Sequence, residues 1–532
     1  MFIIVPAIIA VQLFGTAFNS LGGENERNIC LLSCFHKTVM HGSCGRSDSD
    51  SSDANCSCLK ERLSNMFKVI LVSSLAVLLW GTNILVWAQD QKLESMHAEK
   101  LITQIDFSSW VAESVRVSPD SRHVAYAVKK ENRWYVVVDG KDGKPYDGIG
   151  TGDPVFSPDS SRVAYAANKD SKWFVVLDGH EQKSYEGTGP IIFSPDSKHV
   201  AYVVGAGDKQ LVVVDDKEEK PYEGIGTGNA VFSPNAARLA YTANRSNKWF
   251  AVIDGKEGKK YDGAGSLVFS PDSTRVAYAA KTGNKFSVVV DGKEGKEYDS
   301  ASFLVFGPDG KRLAYRASLA SKQFMVIDGE EGKQYDAAGP VIFSPDSKRV
   351  AYMAKRGSKW LAVIDGKEGE EYDGAGSLVF SPDSTRVAYA AKTGDKSFMV
   401  VDGKEEKRYD GIAPAVFSPD SKRWGYRAGL NKKQLIVVDG KDMEQYESTA
   451  AVVFSPDSKS LAYMAGENNK WFVVRDQKKG KEYDNLFLQA GILFDSPESL
   501  HFLALTANNL YLVEMVTKIR PPSECGELCQ ND

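Results

Sequence analysis

The chain has 532 residues and a formal net charge of −5, with the apolar, aromatic and charged fractions of a soluble globular protein and enough length for two or three cores. Lysine and glutamate are mixed throughout, so no basic stripe marks a nucleic-acid surface. Nor does the small net charge provide a strong acidic field for steering a cationic partner.

Residues 1–65 read as a Cys- and Ser-rich extension with a solvated, disordered tract at Asp48–Asp53. Cys30, Cys34, His36, His41, Cys44, Cys56 and Cys58 match no standard zinc spacing, and the acidic tract lacks the glycine and distal glutamate of a calcium loop. Residues 66–88 have the form of a secretory signal. Lys68 precedes an apolar run from Val69, and Ala88 closes it before Gln89-Asp90-Gln91. The run is also long enough to span a bilayer, so an uncleaved anchor is the competing expectation. Signals belong at the start of a chain, so translation is expected to begin at Met66. Cleavage after Ala88 would leave Cys525 and Cys529 as the cysteines of the mature chain, a pair that could close a short disulfide in the 519–532 tail.

The stretch 102–518 is repetitive. A proline after Ser or Gly recurs at Pro119, Pro158, Pro195, Pro234, Pro271, Pro308, Pro345, Pro382, Pro419 and Pro456, with a degenerate copy at Pro497. Most spacings are 37 residues, and the count is eleven units. In one unit, Val341-Ile342-Phe343 is a short strand and Ser344-Pro345-Asp346-Ser347 a turn. A second strand centres on Val350-Ala351-Tyr352, a third runs from Trp360 to Ile364, and Asp365-Gly366 starts a hairpin. A short fourth strand is expected at Glu371-Tyr372-Asp373. The third strand is apolar on both faces, so each small sheet must be covered on both sides. Four antiparallel strands per unit, stacked face to face, make an all-β fold, a β-propeller of about eleven four-stranded repeats. The last unit has no fourth strand of its own, and Ile102–Phe107 is the candidate to supply it and close a ring.

Phe306-Gly307-Pro308-Asp309-Gly310-Lys311-Arg312-Leu313-Ala314-Tyr315, echoed in the other units, resembles the signature of the TolB-like, WD-repeat-like β-propeller repeat family. That resemblance implies the fold and says little about function. Eleven units exceed the usual four to eight blades, which favours two propellers, while the unbroken rhythm favours one large ring. The expectation adopted is two.

A second period overlies the first. Fifteen residues after each proline stand, in order, Trp134, Trp173, Gln210, Trp249, Phe286, Gln323, Trp360, Ser397, Gln434 and Trp471. Gly263–Gly283 returns residue for residue as Gly374–Gly394, so the array was built by copying three-unit blocks. The tyrosines at 146, 185, 222, 261, 298, 335, 372, 409, 446 and 483 read as packing, each ring buried while its hydroxyl reaches a partner. The Trp/Gln position varies while its surroundings stay fixed. That marks Trp134, Trp173, Trp249, Trp360 and Trp471 as candidate ligand-stacking residues at a blade edge, with peripheral packing as the plainer reading. No nucleophile motif, metal site or cofactor loop is visible, so no catalytic residue, metal or cofactor is assigned. The resulting expectation is a non-catalytic exported scaffold that binds a protein or envelope component and no nucleic acid. Membrane contact would come only through 66–88 if uncleaved. The alternative is a propeller hydrolase or lyase with a site in the central channel.

Overall fold

The computed structural model describes residues 94–150, 152, 154–226 and 230–518. The 1–65 extension, the apolar 66–88 segment and the tail carrying Cys525 and Cys529 lie outside them. The described chain is all-β, with one three-residue 3-10 turn at Ala112–Ser114, and forms eleven antiparallel blades in a ring.

Blade 7 shows how the repeat folds. Its first strand comes in two pieces, Ala337–Ala338 and Ile342–Phe343, both paired with Val350–Arg356. Lys359–Ile364 follows as the third strand, and Leu361, Ala362 and Val363 are consecutively buried, as expected of a sheet covered on both faces. Asp365 and Gly366 both take positive φ, 52° and 76°, the geometry of a tight hairpin. This hairpin moves the fourth strand from its expected place. Pairing starts directly after the turn at Lys367–Glu368, because a two-residue turn puts its flanking residues in register at once. The chain then bulges at Gly369, whose N–H reaches the Ala362 carbonyl, and rejoins the sheet at Tyr372 opposite Trp360. In blades 5, 6, 8 and 10 the first strand is continuous, and one left-handed residue in each, such as Ser377 at φ 54°, forms a bulge.

Neighbouring blades come close along their first strands and not along their fourth, so the first strands face the centre of the ring. Blade 11 comprises Asn485–Leu486 and Leu493–Phe494, Ser499–Thr506, Asn509–Lys518, and an outer strand from the other end of the chain. That outer strand is Glu94–Gln104, running antiparallel to Asn509–Lys518 with Leu101 opposite Tyr511. It begins eight residues before the segment that the sequence suggested. Its side chains also bridge blades, as Lys481 of blade 10 binds Glu99 at 2.7 Å.

The expectation of two propellers is overturned: the eleven blades make one ring. Two rings would need two closures, and the described residues hold one closing strand. Blade 11 instead packs on blade 1. Leu503, Leu510 and Leu512 share a core with Val115, Val124 and Tyr126. At the same junction Arg122 binds Asp495 at 2.7 Å, and the His501 Nε2–H donates to the Asp120 carbonyl at 2.8 Å.

The closing strand carries a direct test. A chain starting at Ile105 leaves the 509–518 edge unpaired. Compared with a chain starting at Lys92, it is expected to melt at least ~10 °C lower and to aggregate. Equal melting temperatures by circular dichroism would show that closure contributes nothing.

Candidate functional site

The repeated polar residues meet between blades, in seams of nearly constant design. At the outer edge the tyrosine of most blades reaches the next blade, while Tyr446 donates to Glu444 of its own blade at 2.8 Å. The Tyr261 hydroxyl donates to Glu294 at 2.7 Å, Tyr335 to Glu368 at 2.8 Å and Tyr185 to Glu218 at 2.9 Å. A lysine from the tyrosine's own blade joins the same carboxylate, as Lys259 does on Glu294 at 2.7 Å. These partners perturb both groups. Burial, then the hydrogen bond to Glu294, raises the Tyr261 phenol. Arg356 and Lys333, with the Tyr335 hydroxyl, hold the Glu368 carboxyl down at about 2.

A second seam contact is built on the Ser-Pro-Asp-Ser turn. Ser344 Oγ donates to Asp346 at 2.6 Å and accepts the Arg349 N–H at 3.0 Å, which locks the turn. The turn's last serine, Ser347, has φ 62° and accepts the Asp309 N–H of the preceding blade at 2.8 Å. Arg349 then crosses to the following blade. Its Nε donates to Asp365 at 2.9 Å, and its Nη1 donates to the Ser384 and Thr385 carbonyls at 3.2 and 2.9 Å. The guanidinium lies 5.1 Å over the Phe380 ring. Arg162, Arg238, Arg275, Arg312, Arg386 and Arg423 repeat this arrangement. In seven blades the Asp of the Asp-Gly pair is thus a hairpin residue and also the arginine's acceptor, while Asp139 of blade 1 takes His123 at 2.7 Å instead. The sequence carried this signal as an Asp sixteen residues after each Arg, but hairpin chemistry alone accounted for the Asp-Gly pair.

The five candidate tryptophans lie in five different seams, and the fold does not gather them into one site. Each is half-buried and pairs through its backbone with the tyrosine of its own blade, as Trp360 does with Tyr372. Trp173, Trp360 and Trp471 pack on cores shared with the following blade. Lys129 lies over Trp134 at 5.5 Å, and Trp249 keeps the same bridge to Tyr261. The glutamines of the same column cross the seam by hydrogen bonding. Gln210, Gln323 and Gln434 accept the N–H groups of Ile225, Ala338 and Thr449 in the next blade at 2.8, 2.9 and 2.8 Å. At this column some seams are joined by a packed ring and others by an amide hydrogen bond.

The seam between blades 3 and 4 departs most from the pattern. His199 stands where the arginine would be and binds Asp215 at 2.6 Å, and Ala236 replaces the serine. A cavity of about 590 Å³ opens there, lined by His199, Asp215, Glu219, Phe232 and Tyr241 among others. Tyr241 is 2% exposed and its hydroxyl has no hydrogen-bond partner. Burial raises this phenol, and the neighbouring Tyr222 and Glu219 add to the effect. Where Tyr165 meets Gly143, and where several other seams also have a glycine, blade 3 has Glu219, as blade 8 has Glu406. Among the described residues no group of three His, Cys, Asp or Glu is placed to hold a metal.

No known family's sequence profile matches the chain, and no curated protein matches it. Similar solved structures include a eukaryotic initiation factor at 14% identity and TM-score 0.36, covering 60% of this chain and 96% of that one. TolB from Acinetobacter baumannii is similar at 17% identity and TM-score 0.24, covering 49% of this chain and 80% of that one. The β-propeller domain of the Trilobed protease from Pyrococcus furiosus is similar at 15% identity and TM-score 0.26, covering 48% and 96%. At these scores the propeller assignment rests on the strand pairing of the chain itself.

Two predictions follow from the seam chemistry. Arg349→Lys keeps the charge but loses the fork that reaches two carbonyls, and is expected to cost about 1–2 kcal/mol in urea denaturation. An unchanged midpoint would remove the arginine from the seam's energetics. The second concerns pH. Glu294 and Glu368 are lowered in the fold, so their contribution is complete above the unfolded value near ~4.3 and drains as pH falls toward 2. Tyrosines such as Tyr261 are raised, so above ~10 the unfolded chain ionises first and stability falls. Melting temperature should therefore drop as pH falls below about 5 and as it rises above about 9. No loss at either extreme would contradict the assignment.

Proposed function

We propose that the chain is a non-catalytic scaffold, exported from the cytoplasm, that binds a protein or a component of the cell envelope through its ring. One observation supports this above all: the repeated polar groups that could do chemistry are committed to holding blades together. Tyrosine hydroxyls such as those of Tyr261 and Tyr335 bind carboxylates of the next blade, and the turn arginines bind across the seams. What remains free is a large surface of near-identical loops, suited to multivalent contact. The apolar 66–88 segment, read as a signal or anchor, supports an extracytoplasmic location.

The test is affinity purification of the full chain, cross-linked in its native envelope fraction, with N-terminal sequencing of the recovered material. The expected outcome is a partner recovered at near-stoichiometric yield, together with a mature N-terminus near Gln89 if the signal is cleaved, or retention in the membrane if it is not. A hydrolase or lyase activity in the purified protein, abolished by changing one carboxylate or histidine, would overturn the scaffold reading.

A further inference from the structure

The seams themselves show what the blade 3–4 cavity is built to hold. Seven seams place an arginine in one arrangement. Its Nε binds the hairpin Asp at 2.8–3.1 Å, and its guanidinium lies 5.1–5.6 Å over the next blade's Phe. Its Nη1 reaches a carbonyl of the next turn at 2.7–3.2 Å. Between blades 10 and 11 the arginine's position is Ser460, yet a guanidinium is still present. Arg475 supplies it from another strand, 5.3 Å over Phe494 and bound to the Pro497 and Glu498 carbonyls. The same acceptors therefore take a guanidinium from a different point of the chain.

Two seams have a histidine at the arginine's position: His123 binds Asp139 in blade 1, where Ser160 still accepts the Asp120 N–H, and His199 binds Asp215 between blades 3 and 4, where that serine is missing as well. His199 occupies one oxygen of Asp215, and its ring lies 6.5 Å from Phe232, too short a side chain to span to the Ala236 and Ala237 carbonyls. The lost Ser-to-Asp bond opens the seam further: in seven seams the N–H of the turn Asp or Asn binds the next blade's serine, but Ala236 offers Asp196 no hydroxyl. Two further polar groups line the resulting cavity. One is the Glu219 carboxylate; the other is the Tyr241 hydroxyl, buried and unpartnered as are those of Tyr202 and Tyr426 in seams that keep their arginine. Three carboxylates line the cavity against two fixed cations, and one of those, Arg238, is already paired with Asp254 at 3.0 Å. The volume of about 590 Å³ suits a small ligand or one long side chain.

We infer that the blade 3–4 seam is a binding site for a guanidinium group, carried by an arginine side chain or by a free guanidine compound. The group lies over Phe232 and donates to the Ala236 and Ala237 carbonyls and to Glu219, while the Tyr241 hydroxyl gains its missing partner. A planar fork fits this set of acceptors, and a compact ammonium does not. This inference rests on the binding role proposed above and names the chemistry of one ligand for it.

Calorimetric titration of the full chain with agmatine, Nα-acetyl-arginine amide and Nα-acetyl-lysine amide tests it. The two guanidines are expected to saturate one site and the lysine compound to bind at least tenfold more weakly. His199→Arg fills the site from within the chain and should weaken guanidine binding at least tenfold, with a melting temperature no lower than the parent's to show that it folds. Glu219→Gln should weaken binding severalfold. Glu406→Gln, at the matching position of the blade 8–9 seam where Arg386 is present, should leave it unchanged. An arginine-containing peptide that binds more tightly than agmatine assigns the site to a polypeptide; the reverse order assigns it to a free guanidine. No saturable binding, equal binding of the lysine compound, or binding indifferent to His199→Arg sinks the inference. A partner that still co-purifies with His199→Arg would sink this site and leave the scaffold role standing.

Discussion

A sheet of four short strands with apolar residues on both faces is insoluble alone and must be covered twice. That requirement governs the molecule. Leu361, Ala362 and Val363 are buried in succession, so one neighbour covers the odd side chains and the other neighbour covers the even ones. Every blade therefore needs two companions, and only a closed arrangement gives them to the first and last blades as well. The pairing of Glu94–Gln104 with Asn509–Lys518 meets that need with an antiparallel ladder between the two ends of the array.

The seams add direction to this general demand. Apolar burial alone would let blades slide over one another. The arginine fork, the tyrosine-to-carboxylate bond and the serine-capped turn each fix a specific pair of atoms at a specific depth. The turn contacts and the tyrosine contacts lie at separate places along the seam, so the angle between neighbours is set from two places. A small and uniform angle repeated through such contacts accommodates eleven blades, more than the usual four to eight.

Much of this was legible in the sequence. The strand pattern, the Asp-Gly hairpins, the buried tyrosines and the need for a closing strand all follow from residue types and their spacing. The number of rings did not, because it depends on a rotation per blade that no single residue reports. The tryptophan column was legible as variable, but its reason was not. Trp360 and Gln323 do the same job by packing and by hydrogen bonding, and a partner one repeat away looks like part of the same repeat. The seam arginines were missed for the same cause: Arg349 and its Ser384 acceptor sit one period apart, which reads as repetition rather than contact. Conversely, the irregular seam was written openly as the combination of His199, Glu219 and Ala236 within one repeat length.

The residue-for-residue identity of Gly263–Gly283 and Gly374–Gly394 has a consequence for assembly. These segments form the first two strands of blades 5 and 8, and nothing within them distinguishes one place in the ring from the other. A newly made chain cannot sort them by recognition. Each blade's address is its position along the polypeptide, so covalent order does the work that distinct surfaces do in other folds, and sequential docking during synthesis protects it from exchange between twins.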